Sequence, residues 1–259
     1  MSTKFQEIAE ITCQEEISAD IFSMWIKTEN IAKNAVPGQF VSLYSSDGSS
    51  ILPRPISICE VSDDRCSLRL VYRVAGKGTR EFSFLKNKDA IKVLGPLGNG
   101  YTLKDSSAML IAGGIGVPPI VELAKQLHKK GVKDIKAVVG YRSELFLKEE
   151  LEKYCSVYVA TEDGSSGVKG NVMDAIREHG LSADTIYACG PKPMLKAVSD
   201  FAEQTGTEAQ ISLEGRMACG IGACLACVCK SKETDEHSNV KNKRICADGP
   251  VFDSREVEL

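Results

Sequence analysis

Four cysteines fall within eleven residues, at Cys219, Cys224, Cys227 and Cys229, in a chain with ten cysteines among 259 residues. The next thiol beyond them is Cys246. C-x4-C-x2-C closed by a later cysteine is the plant-type spacing of a [2Fe–2S] cluster. Two irons take four thiolates, and the bridging sulfides want backbone N–H donors around them. Gly220 and Gly222 suit so tight a loop, because glycine tolerates positive φ. A zinc ribbon would pair two C-x2-C knuckles, and the second is missing. The spacing therefore selects Cys219, Cys224, Cys227 and Cys246 as ligands and leaves Cys229 surplus. The charge-dense stretch 230–244 reads as a solvated excursion that returns the chain to Cys246. Cys13, Cys59, Cys66 and Cys155 read as small buried hydrophobes.

A second constellation lies in the first third. Arg54-Pro55-Ile56-Ser57 opens a predicted strand, and Gly76-Lys77-Gly78-Thr79 precedes a helix-like stretch at 80–85. An arginine fork grips a pyrophosphate through two parallel bonds. A serine hydroxyl three residues on can reach a flavin ring nitrogen. Gly-x-Gly-Thr at a helix start offers bare backbone N–H groups to a second phosphate. Alone, an Arg-Pro pair is commonly a solvated turn and a Gly-x-Gly a loop. In this order, ahead of a nucleotide fold, they point to a flavin.

The nucleotide fold announces itself at 108–112, an apolar run leading into Gly113-Gly114-Ile115-Gly116-Val117-Pro118-Pro119. A strand, a glycine turn and a helix would bring a phosphate against backbone N–H groups and the helix dipole. Pro119 stands where G-x-G-x-x-G has its third glycine. Asp134, about twenty residues on, precedes the second strand instead of ending it, so a plain Rossmann dehydrogenase is disfavoured. Later, Tyr187-Ala188-Cys189-Gly190-Pro191 ends another strand at the same sheet edge. Candidate NAD contacts are Gly113, Gly114, Gly116, Val117, Pro118, Cys189, Gly190 and Pro191. Cys189 reads either as a packed strand residue or as a catalytic group bordering the nicotinamide. His128, His179 and His237 sit in polar surroundings and form no triad. Glu149-Glu150 and Asp63-Asp64 read as solvated charges.

The elements that would position these residues change character along the chain. The first hundred residues give short β segments at 21–27, 39–44, 56–61, 66–74 and 90–94, separated by turns such as those at 36–38, 46–48 and 95–100. That spacing suggests a barrel or sandwich. Apolar strands at 108–112, 135–139, 157–160 and 185–188 then alternate with helices, the first running through about Lys130, as parallel βαβ units do. The length would also admit a (β/α)8 barrel, but the β-only first third lacks its helices. The expected organisation is an antiparallel β-barrel at 1–101, a parallel-sheet α/β domain at 102–210 and a small cysteine-rich domain at 211–259, which the family resemblance described below makes FAD, NAD and [2Fe–2S] domains.

Hydrophobic residues make up 43% and charged residues 26%, which excludes disordered, collagenous and coiled-coil classes. Lys+Arg 32 against Asp+Glu 35 leaves no basic excess for nucleic acid. No run approaches the 18 or so apolar residues of a membrane span. The start of the chain is polar, without the apolar core of a signal peptide. A cytoplasmic location follows as an expectation, and in that compartment thiols stay reduced.

The three motifs in sequence resemble the ferredoxin–NADP reductase superfamily over about 5–210. With Ser212-Leu213-Glu214-Gly215-Arg216-Met217-Ala218-Cys219 running straight into the cysteine cluster, the whole chain is similar to the electron-transfer subunits of type B dihydroorotate dehydrogenases. The resemblance implies FAD contacts at Arg54, Pro55, Ile56 and Ser57, at Val71, Tyr72 and Arg73, and at Gly78 and Thr79. Ile56 stands where the wider superfamily often has an aromatic, leaving Tyr72 as the ring available to stack. The same four cysteines match the family's ligands. The implied partner is an FMN-containing dihydroorotate dehydrogenase catalytic subunit, in a heterotetramer of two of each. Dihydroorotate would be oxidised there, electrons would pass singly through the cluster to FAD, and NAD+ would take them as hydride. Arg142, after the second βα strand, could meet a 2′-phosphate, so NADH over NADPH is implied by the family alone. Related subunits of sulfite reductase, sulfhydrogenase and ferredoxin reductase complexes share this chemistry with other partners. A zinc-stabilised nucleotide-binding regulator is a different class, told apart by its lack of visible absorption.

Overall fold

The computed structural model describes residues 3–46, 51–234 and 239–259. His237, and Asp47 and Gly48 of the expected turn, lie outside the described residues. The first hundred residues close into a six-stranded antiparallel barrel. Its strands are β1 (Phe5–Ser18), β2 (Ile21–Lys27), β3 (Phe40–Tyr44), β4 (Arg54–Val61), β5 (Ser67–Arg73) and β6 (Ala90–Leu97). Short helices α1 (Ile31–Asn34) and α2 (Lys77–Ser83) precede β3 and β6. Around the barrel the order is β1, β2, β5, β4, β3, β6.

Strand alternation decides which side chains fill the barrel and which look outward. Val41, Leu43, Ile58, Leu70 and Tyr72 pack inside. Their neighbours point the other way: Phe40 joins the core of the C-terminal half, while Cys59 and Val71 join the core beneath the nucleotide sheet. β1 lies outside the β segments expected. Its apolar alternation is broken by register shifts after Ile11 and Glu16, and Ile8 faces solvent beside buried Ala9. Of the four cysteines read as buried hydrophobes, Cys59 alone is buried; Cys66 and Cys155 are half-buried and Cys13 is exposed.

The second unit is a parallel sheet, with β7 (Ala108–Gly113), β8 (Ile135–Tyr141), β9 (Ser156–Thr161), β10 (Val168–Lys169), β11 (Thr185–Cys189) and β12 (Glu208–Ser212). Helices α3 (Pro118–Lys130), α4 (Lys148–Glu152), α5 (Val172–Glu178) and α6 (Lys192–Thr205) connect them. Leu110 and Ala112 pack with α3 residues on one face, Met109 and Ile111 with α5 and α6 residues on the other. Burial on both faces explains why 108–112 is continuously apolar instead of alternating. Prolines open α3, and Gly131 at φ +89 closes it. In the C-terminal segment β13 (Val228–Lys230) pairs with β14 (Asn242–Arg244). β15 (Val251–Asp253) then runs antiparallel to β12 and becomes the seventh strand of the nucleotide sheet.

An ionic network joins barrel to sheet. Arg69 bonds Glu150 at 3.1 Å, Lys125 reaches Glu60 at 3.2 Å, and Asp63 pairs with Lys129 at 2.7 Å. Buried Glu122 accepts from the Val61 N–H at 2.8 Å, and burial raises its pKa. Glu150 and Asp63 are thus bound to cations across the junction, not simply solvated; Glu149 and Asp64 remain exposed.

Candidate functional site

Arg54 and Gly78, twenty-four residues apart, meet. A methyl group at Gly78 would stand 2.5 Å from Arg54 Nε, so only glycine leaves the guanidinium its place. The Thr79 hydroxyl accepts from the N–H groups of Ala75 (3.0 Å) and Gly76 (3.1 Å), fixing the turn into α2. Glu81 on α2 accepts from the Ser46 N–H at 2.7 Å and from its hydroxyl at 2.8 Å, tying the end of β3 to the same helix. Glu81 gave no signal in the sequence, because its partners are thirty-five residues away.

On β4, Ile56 turns toward the barrel core. Pro55 and Ser57 lie opposite Ser42 and Phe40 of β3 and so share their outward face. On β5, Val71 and Arg73 face out as well. Tyr72 does not: its ring stacks on Phe22 and meets Phe82 edge-on inside the barrel, and it is 2% exposed. The expectation of a stacking role for the Tyr72 ring is corrected by the strand's alternation, which leaves Tyr72 only its backbone to offer. Exposed Arg73 leans across to the nucleotide sheet; its Nη2 is 4.0 Å from where a methyl at Gly114 would be.

At that sheet edge β7 and β11 are neighbours, with Ala112 opposite Cys189. A Cβ on Gly116 would collide with the Cys189 carbonyl, and one on Gly190 would reach 2.6 Å from Met194 Cε. The glycine turn and Cys189-Gly190-Pro191 are therefore fitted to each other at the carboxyl end of the strands. Gly114 holds φ +53, Val117 and Pro118 are buried at the start of α3, and Pro191 caps α6. Asp134 pairs with Lys136 before β8, at the opposite end of the sheet. Arg142 is exposed just beyond β8. Desolvation pushes the half-buried Cys189 thiol up to about 12, against a hydrogen bond to Ser212 and helped by the Glu214 charge. At neutral pH it is a neutral thiol, not a nucleophilic thiolate.

The cysteine loop is organised around its sulfurs. Cys219 Sγ accepts from the N–H groups of Ile221 (3.4 Å) and Ala223 (3.3 Å). Cys246 Sγ accepts from Gly222 N–H at 3.1 Å, and Cys227 Sγ from Cys246 N–H at 3.4 Å. Three of the four candidate ligand sulfurs, on Cys219, Cys227 and Cys246, thus accept from backbone N–H groups. Burial opposes ionisation of Cys219, but the surrounding N–H groups and the Cys224 thiol win and bring it down to about 6. Gly220 and Gly222 hold φ +69 and +87. Among the described residues no three His, Cys, Asp or Glu side chains are grouped as a single ion would require. Sulfurs that accept from backbone N–H groups, at C-x4-C-x2-C spacing closed by a later cysteine, fit a two-iron cluster. Cys229 turns away, its thiol on the Lys243 carbonyl at 3.4 Å. Arg244, missed in the sequence among its charged neighbours, clamps the loop: it donates to the Gly222 carbonyl at 3.2 Å and forks onto Asp248 at 2.8 and 3.0 Å.

Comparison with known proteins bears on the whole chain. Residues 214–258 match the model of the iron-sulfur cluster binding domain of dihydroorotate dehydrogenase B, and residues 110–200 that of the oxidoreductase NAD-binding domain. A dihydroorotate dehydrogenase B (NAD(+)) electron transfer subunit from Fusobacterium nucleatum subsp. nucleatum is 43% identical, with 98% of this chain and 99% of that protein covered. One from Bacillus velezensis is 44% identical over 97% and 99%. Among solved structures, a chain of an NADH-dependent reduced ferredoxin-NADP oxidoreductase superposes with a TM-score of 0.86 at 30% identity, covering 97% of this chain and 90% of that one. The ferredoxin reductase of carbazole 1,9a-dioxygenase shares the fold, at a TM-score of 0.68 and 19% identity over 79% and 67%. No helix among the described residues is long and apolar enough to cross a membrane.

Proposed function

We propose, for a chain that belongs to the family of dihydroorotate dehydrogenase B (NAD(+)) electron transfer subunits, that it carries electrons between a catalytic partner subunit and NAD+ through a [2Fe–2S] cluster and FAD. The observation that carries this reading is a cysteine loop whose sulfurs accept from backbone N–H groups and which packs against the barrel face that bears Pro55 and Ser57. When bound, the flavin exchanges single electrons for hydride and the cluster supplies one-electron steps.

The residues divide the work. Arg54 and the bare backbone at Gly78 hold the flavin's phosphates, Ser57 and the backbone of Val71–Tyr72–Arg73 its ring, and Thr79 shapes the turn. The turn from Gly113 to Gly116 receives the nucleotide's phosphates, while Val117 and Pro118 fix the start of α3. Cys189, Gly190 and Pro191 border the nicotinamide, and the Cys189 thiol stays protonated there, too weak a nucleophile to add to the ring. Cys219, Cys224, Cys227 and Cys246 would hold the cluster, which would supply one-electron transfer. The corresponding units are 1–101, 102–210 and 211–259, the last lending β15 to the sheet of the second.

The partner in this reading is an FMN-bearing dihydroorotate dehydrogenase, two copies of each chain forming a cytoplasmic heterotetramer. Relatives at 43–44% identity that carry the dihydroorotate name favour it over sulfite reductase, sulfhydrogenase or ferredoxin reductase partners. Co-purification from the native host tests it. An FMN protein of equimolar amount that gains NAD+-linked dihydroorotate oxidation on mixing is the expected result. Capture of a sulfite-reducing or hydrogenase subunit instead would overturn the assignment.

A further inference from the structure

We infer that Ser42 is a positioning residue for electron transfer: its contact with Gly220 sets how closely the cluster loop approaches the flavin strand. The inference rests on the functional reading above. Along β3, Val41 and Leu43 fill the barrel, while Phe40 and Ser42 face outward. Ser42 is nevertheless 1% exposed, because the cysteine loop lies on it.

The point of contact is Gly220, bonded directly to the ligand Cys219. A Cβ there would stand 2.9 Å from Ser42 Oγ, 3.5 Å from Leu97 Cδ1 and 4.0 Å from Phe40 Cε2. Ser42 is in turn the β-ladder partner of Pro55, and Phe40 that of Ser57. Cluster ligand and flavin motif are thus separated by one peptide link, a gap between Gly220 and Ser42 too narrow for a methyl, and one strand pair. The opposite rim of the loop, with Ile221, Leu225 and Cys224, is open to solvent. Reduction of one NAD+ takes two electrons and one proton, so single electrons cross this contact twice per turnover.

A small side chain at position 42 permits the approach, and a larger one in so closely packed a place must lift the loop. The test uses the full chain with FAD and cluster bound, as Ser42→Ala, Ser42→Thr and Ser42→Leu. Pulsed EPR of partly reduced protein reads the flavin-to-cluster distance, and stopped-flow absorption follows cluster reduction by NADH. Ser42→Ala should match wild type, Ser42→Thr should lengthen the distance, and Ser42→Leu should lengthen it further and slow cluster reduction by roughly tenfold or more, about 1.4 kcal/mol in barrier. NADH-to-dye transfer should be unchanged in all three. If Ser42→Leu sheds its iron, Ser42→Thr decides. Equal distances in every variant that retains iron and flavin would overturn the role of Ser42 alone. A wild-type chain without flavin or iron would overturn the reading beneath it.

Discussion

Arg73 ends a barrel strand and Gly114 opens the turn that follows β7, yet the Arg73 Nη2 lies 4.0 Å from the place a methyl on Gly114 would occupy. The family resemblance assigns Arg73 to the flavin with Val71 and Tyr72, but its outward direction on β5 brings its charge to the glycine turn after β7. A charge-assisted phosphate contact contributes about 1.5–3 kcal/mol. Arg73→Ala should therefore raise KM for NADH by about one to two decades at roughly 1.4 kcal/mol per decade, with FAD content unchanged. Loss of FAD at unaltered KM would return Arg73 to the flavin.

Arg54 answers to the other cofactor. Arg54→Ala should weaken FAD binding by about one to two decades on the same arithmetic, measured as retention on dialysis. Gly78→Ala should act in the same direction without touching the charge, since its methyl would displace the guanidinium. A Gly78→Ala protein that keeps FAD as well as wild type would break the link between the two residues.

Iron content tells which of the five cysteines of the C-terminal segment are ligands. Cys246→Ser should lose or destabilise the two irons and two sulfides, and Cys229→Ser should keep them, because the Cys229 thiol is committed to the Lys243 carbonyl. Arg244→Gln, which breaks the fork onto Asp248, should release iron faster to a chelator while starting fully loaded. Should Cys229→Ser be the variant that loses iron, the ligand set is wrong.

These residues differ in how plainly the sequence displays them. The cysteine spacing and the run into Gly113-Gly114 are local patterns, so the iron–sulfur segment and the sheet are legible directly. Alternation along β4 and β5 is legible too, yet which face is inside depends on closure of the barrel, and so the Tyr72 ring is misread as a flavin neighbour. β1 escapes because its register shifts break the period-2 signal. Ser42, Glu81 and Arg244 act through partners distant in sequence or unremarkable in composition, and no local pattern points to them. The final strand is only the triplet Val251-Phe252-Asp253, too short to be legible until β12 offers it an edge.

Buried thiols predict the alkaline limit of stability. Desolvation raises Cys189 and Cys155 from 9.0 to about 12, and Cys59 further. Above pH 9 or so the unfolded chain sheds these protons and the folded chain does not. Stability is therefore intact below that pH and falls as pH rises through the folded values. Urea midpoints between pH 7 and pH 10.5 should decline, and Cys59→Ala, less stable throughout because of its cavity, should decline less steeply. Parallel curves for the two proteins would remove Cys59 from the cause.

Division of labour with the partner follows from the exposed rim of the cluster loop. Oxidising dihydroorotate needs a base beside the substrate's C–H bond and a flavin opposite it, whereas here the one barrel face with flavin motifs is shared with the nicotinamide turn through Arg73 and Val71. Cys224 is exposed, flanked by Ile221 at 43% and Leu225 at 61% exposure, so this rim is the place where an electron can enter from another protein. The isolated chain should reduce artificial acceptors with NADH and show no dihydroorotate turnover. Adding the catalytic subunit should create NAD+-linked oxidation. Cys224→Ser should abolish that activity and spare NADH-to-dye transfer, because the barrel and the nucleotide turn do not depend on the outer rim. A charge placed there, as in Leu225→Glu, should weaken the partner's effect while leaving iron content and dye reduction intact. Dihydroorotate turnover by the purified chain alone would contradict the division.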